Sequence, residues 1–485
     1  MYSDIICPVK GDVDMLIGRE KEVERLKRAI QSNHSEFVAI YGRRRVGKTF
    51  LIKETLGKQI TFFHSGLANR DRVAQLAEFS KSLELFGMKG KNRIRTWSDA
   101  FFALQKGLAV CQAARKVVFL DELPWMDTRK SDFVSALEHF WNGWCFMRND
   151  IVLIVCGSAT SWIVSKIMKN HGGLHNRLTD QIRLNPFTLL ECERMAKARG
   201  LACSRQQILE GYMVLGGIPY YWERMEKSQS IDQNIDRLFF GDDAPLGDEF
   251  SQLYASLFAN PGGHLKVVEA LSTKKIGMTR EEVLAATKLE DNGALTKVLA
   301  ELAACGFVRL YRSPGKKTRA TVYQLIDNFT LFHYRFLANG GNDHVGSWLS
   351  RAASHERAVW NGLAFERVCL EHLPQITRAL GISGIRTEAY AWRRRGGEGV
   401  EGAQIDLLID RADKAVNICE MKYAVTEYEI SAQEHDRMLH RRSAYVKDMK
   451  FKGSVFLTLV SPHGAKRNAY WNDIQSEVTL KDLFA

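Results

Sequence analysis

One short segment constrains this chain more than any other, because it fits the pattern G-x-x-x-x-G-K-[ST] in full. It reads Gly42-Arg43-Arg44-Arg45-Val46-Gly47-Lys48-Thr49. The apolar run 37–41 precedes it and a helix-like stretch, 49–53, follows it, which predicts a buried strand, a phosphate-binding loop and a helix. We expect the backbone N–H groups of the loop and the helix N-terminus to hold the phosphates of ATP. Lys48 should reach the β- and γ-phosphates, and Thr49 should bind Mg²⁺.

Two further apolar runs end in polar residues suited to the same site. Residues 117–120 lead into Asp121 and Glu122, and residues 151–155 lead into Cys156-Gly157-Ser158. Asp121 is predicted to hold magnesium through water, and Glu122 to orient and deprotonate the attacking water. Ser158 is predicted to sense the γ-phosphate or that water, with a plain turn residue as the alternative. Buried strands that alternate with helices predict a parallel sheet.

The charge of the chain narrows the class of partner. Its 485 residues carry a formal net charge of +12 and a pI near 9.2, which favours a polyanion such as DNA. Nine cysteines without a CxxC pair indicate reduced thiols in a cytoplasmic protein. No apolar run approaches the roughly 20 residues of a membrane span, and no signal peptide is visible. We therefore expect a cytoplasmic protein without a membrane partner.

The remaining pattern predicts an α/β multidomain protein in four parts. An ATPase core covers 1–185 and a helical lid subdomain 186–255. Residues 256–335 read as three helices and two strands around a basic turn at 313–317, which is typical of a winged helix-turn-helix. Thr279 and Glu282 should form a capping box there. Residues 336–485 return to α/β alternation.

Charged residues in the last part form a second candidate site. Glu366 lies in a predicted helix, Asp406 in a strand, and Glu420 and Lys422 two residues apart on another strand, so that they share one face while Met421 turns to the core. By the same alternation Asp406 and Asp410 should share a face. Carboxylates placed together repel unless a divalent cation lies between them. We expect Asp406 and Glu420 to bind a metal that activates water and stabilises charge on a phosphodiester, and Lys422 to position the nucleophile or to neutralise the transition state.

The motifs of the first half resemble those of the archaeal-type ATPases, which are related to the STAND and AAA+ groups. The resemblance covers about 15–225 and rests on the phosphate loop and four other motifs in the same order: Ile17-Gly18-Arg19-Glu20, Asp121-Glu122, Cys156-Gly157-Ser158 and Gly217-Ile218-Pro219. It implies that Pro219 contacts the base region of the nucleotide, unless it is only a turn proline. It also implies that an arginine completes the γ-phosphate site. Arg177 or Arg183 is the candidate, supplied by the same chain or by a neighbour in a homo-oligomer formed through the ATPase domain.

The order of Glu366, Asp406 and Glu420-x-Lys422 resembles the PD-(D/E)xK nuclease superfamily over about 350–465. This implies a restriction-endonuclease-like fold and metal-dependent DNA cleavage. Gln404 departs from the pattern, because many members have an acid there, and Gln433 is an unproven fourth-motif residue. Basic residues near this site, including Arg393, Arg394 and Arg395 beside Trp392, are predicted to contact DNA or to form a solvated face.

The sequence thus predicts an ATP-binding and hydrolysing protein that couples a nucleotide switch to DNA binding and metal-dependent DNA cleavage. One alternative is a nucleotide-switched DNA-binding regulator with an inactive nuclease fold. Another is a STAND-type signalling scaffold that oligomerises on ATP binding. The third helix of the predicted winged helix has one basic residue, Lys297, so this part could contact protein rather than DNA. The sequence leaves open the DNA substrate, the oligomeric state and the biological pathway.

Overall fold

The computed structural model divides the chain into two units, Met1–Pro186 and Phe187–Ala485. It describes residues 16–88, 93–129, 131–158, 160–168, 173, 174, 176–258, 260–312, 320–338, 344–397 and 401–485. The basic turn predicted at 313–317 lies outside the described residues. No helix in the described part of the chain combines the length and the apolar character needed to cross a bilayer.

The first unit is built on a parallel sheet. Its strands are β1 Glu36–Tyr41, β2 Ile60–Ser65, β3 Lys116–Asp121, β4 Ile151–Gly157 and β5 Asp180–Arg183. They are arranged in the order β2-β3-β4-β1-β5 and every described pairing is parallel. Strands β3 and β4 are buried along their whole length, which is why their sequences are unbroken apolar runs rather than alternating ones. Because the strands are parallel, their carboxyl ends meet at one edge of the sheet.

Helices accompany these strands and complete the core of the first unit. They are α1 Glu20–Gln31, α2 Lys48–Leu56, α3 Arg72–Leu85, α4 Trp97–Val110, α5 Leu123–Met126, α6 Phe133–Phe140 and α7 Thr160–Trp162. Phe79, Trp97 and Phe133 of α3, α4 and α6 lie in the same core cluster as apolar residues of the sheet. The parallel α/β architecture expected of a P-loop ATPase is therefore observed in this unit.

The second unit begins with a helical region. Its helices are α8 Leu189–Ala198, α9 Arg205–Leu215, α10 Pro219–Glu223, α11 Ile231–Phe239 and α12 Glu249–Leu257. Capping boxes at Thr188, Ser204 and Ser230 start α8, α9 and α11, since each hydroxyl satisfies a backbone N–H that the helix leaves free. These helices belong to the same unit as the C-terminal part of the chain.

Three helices and a small antiparallel sheet follow. The elements are α13 Gly262–Ser272, β6 Met278–Thr279, α14 Arg280–Thr287, α15 Gly293–Ala304, β7 Val308–Tyr311 and β8 Val322–Leu325. The strands are arranged in the order β6-β8-β7. Thr279 and Glu282 form the capping box that their spacing predicts. The order of helices and strands agrees with the pattern from which a winged helix was predicted.

A mixed sheet forms the end of the chain. Helices α16 Asn328–Phe332, α17 Ser347–Ser350, α18 His355–Glu371 and α19 Leu373–Ala379 lead into it. Its elements are β9 Thr387–Arg394, β10 Ala403–Arg411, β11 Ala415–Met421, α20 Ala432–Met449, β12 Ser454–Val460, β13 Ser476–Val478 and α21 Leu480–Leu483. The strand order is β13-β12-β11-β10-β9. Pairs β9–β10 and β10–β11 are antiparallel, whereas β11–β12 and β12–β13 are parallel.

Candidate functional sites

The phosphate loop joins β1 to α2 with a backbone that only certain residues tolerate. Gly42 and Gly47 have φ values of 150° and 87°, and Arg45 has a φ of 69°. A Cβ on Gly42 would lie 2.2 Å from the carbonyl oxygen of Leu184, so glycine is required there by close approach as well as by φ. Val46 is buried and anchors the loop. The two glycines of the motif thus have a structural reason that is independent of the ligand.

Lys48 and Thr49 stand at the start of α2 and meet the carboxyl end of β3. The ammonium of buried Lys48 donates to the carbonyl oxygens of Gly42 and Arg43 at 3.0 and 2.9 Å. The hydroxyl of Thr49 donates to Oδ2 of Asp121 at 2.6 Å. A lysine folded over the loop and a hydroxyl–carboxylate pair supply the donors and oxygens that a nucleotide phosphate and Mg²⁺ need. The residues present therefore fit MgATP.

Glu122 and Ser158 form a second contact at this edge of the sheet. The hydroxyl of Ser158 donates to Oε2 of Glu122 at 2.9 Å, and the Ser158 backbone N–H donates to the same oxygen at 3.3 Å. Burial, together with the neighbouring charge of Asp121, raises the pKa of Glu122. Glu122 also has a left-handed backbone with φ 49°. Ser158 follows β4, and β4 lies between β1 and β3. The serine therefore lies between the phosphate loop, which follows β1, and the Asp121-Glu122 pair at the end of β3.

The two candidate arginines lie at opposite ends of the sheet. The Arg177 guanidinium lies 4.7 Å from the ring centroid of Phe146, and nearby Thr179 bonds to Phe37 at the start of β1. This is the amino-terminal end of the strands, whereas the phosphate loop follows their carboxyl end, so the structure does not bring Arg177 to the loop of its own chain. Arg183 pairs with Tyr41 beside the loop and is exposed. Contact of either arginine with a nucleotide stays a prediction.

The Gly217-Ile218-Pro219 motif has a structural role within the second unit. A Cβ on Gly217 would lie 1.8 Å from the carbonyl oxygen of Phe187, and the Phe187 N–H donates to the Gly217 carbonyl at 2.6 Å. Pro219 is buried at the first position of α10, where a missing N–H costs nothing. This close approach explains the glycine and the proline; a contact between Pro219 and a nucleotide base stays a prediction.

In the second unit, Glu366 of α18 and Asp406 of β10 both form ion pairs with the same side chain, Lys275. The ammonium of Lys275, in the loop between α13 and β6, lies 2.7 Å from Oε1 of Glu366 and 3.0 Å from Oδ2 of Asp406. Oδ1 of Asp406 accepts from the Gln404 amide at 2.7 Å. Oε2 of Glu366 is buried and accepts no hydrogen bond from any described residue.

Opposing effects set the ionisation of this pair. Burial and the nearby charge of Asp406 raise the pKa of Glu366 to about 7. Burial alone would also raise the pKa of Asp406, but Lys275 and the Gln404 hydrogen bond outweigh it and lower that pKa. The two carboxylates therefore differ, with Asp406 the more firmly ionised.

Glu420 and Lys422 share a face of β11, as their spacing predicts, and Met421 between them is buried. The Lys422 ammonium lies 3.2 Å from Oε1 of Glu420 and 3.1 Å from Oε1 of Glu434 on α20. Arg441 of α20 pairs with the other Glu420 oxygen, and its charge also acts on Asp406. Arg441 thus links the two halves of the cluster electrostatically.

This cluster does not have the arrangement of a metal site. In the described part of the chain, no three His, Cys, Asp or Glu side chains lie together in a way that could hold a metal ion. Lys275 fills the position between Glu366 and Asp406, while Glu420 is engaged by Lys422 and Arg441. The residue types suit a divalent metal, but their present contacts do not, so metal binding by Asp406 and Glu420 stays a prediction.

One detail of the expected site is wrong. A β-bulge interrupts β10, since Ile405 pairs with Trp392 whereas Leu408 pairs with Tyr390. The extra residue reverses the alternation, so Asp410 does not share the Asp406 face. Trp392 is buried, with its ring 5.6 Å from that of Tyr445, so it belongs to the core rather than to a surface that could contact DNA.

Basic side chains remain available on another element. Arg437, Lys447 and Lys450 on or beside α20 are exposed. A groove between α20 and β12 is lined by Arg442, Ser443, Val446, Lys447 and Val455. Helix α20 therefore offers a basic surface.

Sequence reasoning missed Lys275 and the partnership of Arg441 with Glu420. Lys275 lies in a Lys-Lys pair before a glycine turn and carries no motif of its own. Arg441 lies in a basic stretch and carries no motif of its own. The predicted cluster itself contained one signal. Carboxylates such as Glu366 and Asp406, if buried together, need a counter-charge, and the sequence next to them offers none that pairs with both.

Comparison with known proteins supports an ATPase domain in the first part of the chain. Residues 16–225 match the family model described as an ATPase domain predominantly from Archaea. An uncharacterised protein of Methanocaldococcus jannaschii is 24% identical over 417 residues, which is 84% of this chain and 88% of that protein. An uncharacterised ATP-binding protein of the same organism is 48% identical over 42 residues, which is 9% of this chain and 71% of that protein.

Solved structures give weaker likenesses. The Walker-type ATPase of Pyrococcus abyssi has a TM-score of 0.48 at 15% identity, covering 66% of this chain and 96% of that chain. The ORC2 protein of Aeropyrum pernix has a TM-score of 0.41 at 17% identity, covering 70% and 96%. The family match includes the phosphate loop, Asp121, Glu122 and Ser158 within its bounds. The chain therefore carries an archaeal-type ATPase domain at residues 16–225.

Proposed function

We propose that this protein binds and hydrolyses ATP, uses the nucleotide to switch how its second unit engages DNA, and carries a nuclease site in that unit. The observation that carries the proposal is the convergence of Lys48, Thr49, Asp121 and Glu122 at one edge of the sheet. Lys48 would exchange its two loop carbonyls for phosphate oxygens. Thr49 and Asp121 would hold Mg²⁺, which neutralises phosphate charge when bound.

Glu122 is suited to act on the attacking water. Glu122 is half-buried and its pKa is raised, so it accepts a proton more readily than an exposed glutamate does. Ser158 holds Oε2 of Glu122 in a fixed orientation, and the second oxygen, Oε1, is the one that we assign to the water. In this arrangement Ser158 orients the Glu122 carboxylate through one oxygen while the other oxygen acts on the water.

Two variants test the ATPase proposal. Lys48→Ala should abolish nucleotide binding, because it removes the only lysine of the loop motif. Glu122→Gln should bind ATP with a Kd close to that of the wild type and lose at least about 10²-fold in turnover, the contribution expected of a general base. Fluorescent-nucleotide titration and phosphate release measure the two effects. Equal turnover by Glu122→Gln and the wild type would show that water is activated elsewhere.

DNA binding is proposed from charge. The chain has a net charge of +12, and the groove between α20 and β12 presents Arg442 and Lys447. Affinity for duplex DNA should fall steeply with salt, and replacing Arg442 by Ala should reduce the slope of log K against log salt by about one. Arg28, exposed on α1, is the matched control. No affinity at low salt would remove the nucleic-acid proposal.

DNA cleavage is proposed from Glu366, Asp406, Glu420 and Lys422. The order α18-β9-β10-β11-α20-β12 and the mixed pairing support a nuclease-type core. Wild-type protein with Mg²⁺ or Mn²⁺ should cleave DNA, and Asp406→Ala, Glu420→Ala and Lys422→Ala should not. Equal results for all four proteins would refute cleavage.

The contact of Lys275 with Glu366 and Asp406 favours a second candidate function. A chain whose carboxylates are neutralised by its own lysine matches a nucleotide-switched DNA-binding regulator without cleavage. In that case DNA binding would depend on nucleotide while no condition would yield cut products.

A further inference from the structure

The loop between α13 and β6 is fixed against the carboxylate cluster by its backbone. The carbonyl oxygen of Lys275 accepts from Nη2 of Arg367 at 2.7 Å and from Nε2 of Gln324 at 2.8 Å. Arg367 and Gln324 are both buried. Buried donors of this kind are costly to leave unpaired. Their hydrogen bonds to the Lys275 carbonyl oxygen therefore fix the position of the loop.

The next residue of the loop is held as well. The Tyr311 hydroxyl on β7 donates to the carbonyl oxygen of Ile276. Arg367 lies on α18, one residue after Glu366, whereas Gln324 and Tyr311 lie on the small antiparallel sheet. The loop is therefore held in place by α18 and by the small antiparallel sheet.

With its loop held in this way, the Lys275 ammonium lies between the carboxylates of Glu366 and Asp406. Lys275 lies within 3.0 Å of Asp406 and 2.7 Å of Glu366, the position that a bridging divalent ion would need. A lysine ammonium is a compact point charge, so it can replace a metal ion electrostatically without supplying its chemistry. The neighbouring Lys274 pairs instead with Glu282, outside the cluster.

We propose that Lys275 is a built-in cation that keeps the C-terminal carboxylate site closed to divalent metal, and that the site opens only when the loop between α13 and β6 withdraws. This inference rests on the proposed metal-dependent function. Withdrawal would free Glu366 and Asp406 together, because one side chain neutralises both. Glu366 already has one oxygen without a partner among the described residues, so it is the carboxylate that gains most from a bound ion.

Metal titration tests the proposal on the full chain without nucleotide. Mn²⁺ binding is followed by loss of the free-ion EPR signal, in an Asp121→Asn background that suppresses binding at the ATPase site. Lys275→Met keeps the apolar stem and removes the charge, and it should bind one Mn²⁺ at least about tenfold more tightly than the Lys275 protein, a change of 1.4 kcal/mol. Lys274→Met and Lys275→Arg should stay at the parental level. Adding Asp406→Asn to Lys275→Met should abolish the gain.

The outcomes separate this inference from the proposed function. If the Lys275 protein already binds Mn²⁺ as tightly as Lys275→Met, a metal site exists and the closing role of Lys275 is refuted. If neither protein binds Mn²⁺ at the cluster, the metal-dependent function fails.

A second measurement tests the ion pair without metal. Lys274 and Lys275 have similar side-chain exposures, 29% and 32%, so they form an internal comparison for amine acylation followed by mass spectrometry. Lys275 should react several-fold more slowly than Lys274 in the wild type and approach its rate in Asp406→Asn. Unchanged Lys275 reactivity in Asp406→Asn would overturn the closing role whatever the metal titration gives.

Discussion

Replacing Ser158 by Ala separates two roles that this serine could play in ATP hydrolysis. Its hydroxyl donates to Glu122 at 2.9 Å, and the serine is buried. The substitution removes this bond and leaves the longer one from the Ser158 backbone N–H at 3.3 Å. The carboxylate of Glu122 thus loses one of its two donors from this residue, and no charge is removed.

The size of the effect follows from the bond that is lost. A hydrogen bond to a charged group contributes about 1.5–3 kcal/mol, and a pKa unit corresponds to about 1.36 kcal/mol. The bond stabilises the ionised form, so its loss should raise the pKa of Glu122 further, by about one to two units. Burial already raises that pKa, which makes the ionised base the scarcer form as the pH falls.

The assay is kcat for ATP hydrolysis against pH, because kcat reports ionisations in the enzyme–substrate complex. The acid limb of the profile should move to higher pH by about one to two units in Ser158→Ala, and Ser158→Thr, which keeps a hydroxyl, should restore it. A uniform fall in kcat without movement of the acid limb would refute the reasoning. That result would place the hydroxyl on the phosphate rather than on Glu122.

Two further predictions concern stability. Gly217→Ala should destabilise the second unit by about 3 kcal/mol, because its Cβ would lie 1.8 Å from the Phe187 oxygen, whereas Gly262→Ala, with nothing within 4 Å, should change stability by no more than about 1 kcal/mol; urea unfolding compares them, and equal effects would contradict the close approach. Asp150→Asn should cost the first unit about 1–2 kcal/mol at pH 7, since the carboxylate bonds to Lys116 at 2.7 Å. Hydrogen bonding to Arg148 chiefly lowers the pKa of Asp150 to about 2, so this stabilisation is complete above the usual pKa of aspartate, near 4, and is lost as the pH falls through about 2. A wild-type advantage that stayed constant down to pH 2 would show that Asp150 acts through something other than its charge.

Local patterns predicted the strands around the candidate ATP site, because its motif residues directly follow apolar runs. The runs before Gly42, Asp121 and Cys156 correspond to β1, β3 and β4. Strands buried on both faces leave an unbroken apolar signature. Because these strands are parallel, their carboxyl ends lie at one edge of the sheet, and no long-range contact has to be known to predict that the motif residues meet there.

The edge strands were harder to predict from local sequence. Strand β9, Thr387–Arg394, carries Thr and Glu at one end and two arginines at the other, so its last residues were interpreted as a DNA-binding stretch. Packing against Tyr445 of α20 buries Tyr390 and Trp392. The β10 bulge is likewise a property of the pairing with β9 and has no glycine to mark it.

The second site could be predicted only in part. Spacing placed Glu420 and Lys422 on one face, but Lys275 is 131 residues from Asp406. An ion pair across that separation depends on tertiary packing, which the spacing of apolar residues along helices and strands cannot predict. The sequence could identify the acids and could not identify what neutralises them.

The hydroxyl of Tyr423 donates to Oε1 of Glu210 at 2.7 Å and accepts from Nε2 of Gln206 at 2.8 Å. Both partners are on α9, and Tyr423 follows Lys422 directly. Helix α9 begins in the region that the ATPase family match covers and touches the segment that carries the lysine of the second site. These two bonds fix the residue that follows Lys422 to α9, so the position of Lys422 depends on the packing of that helix.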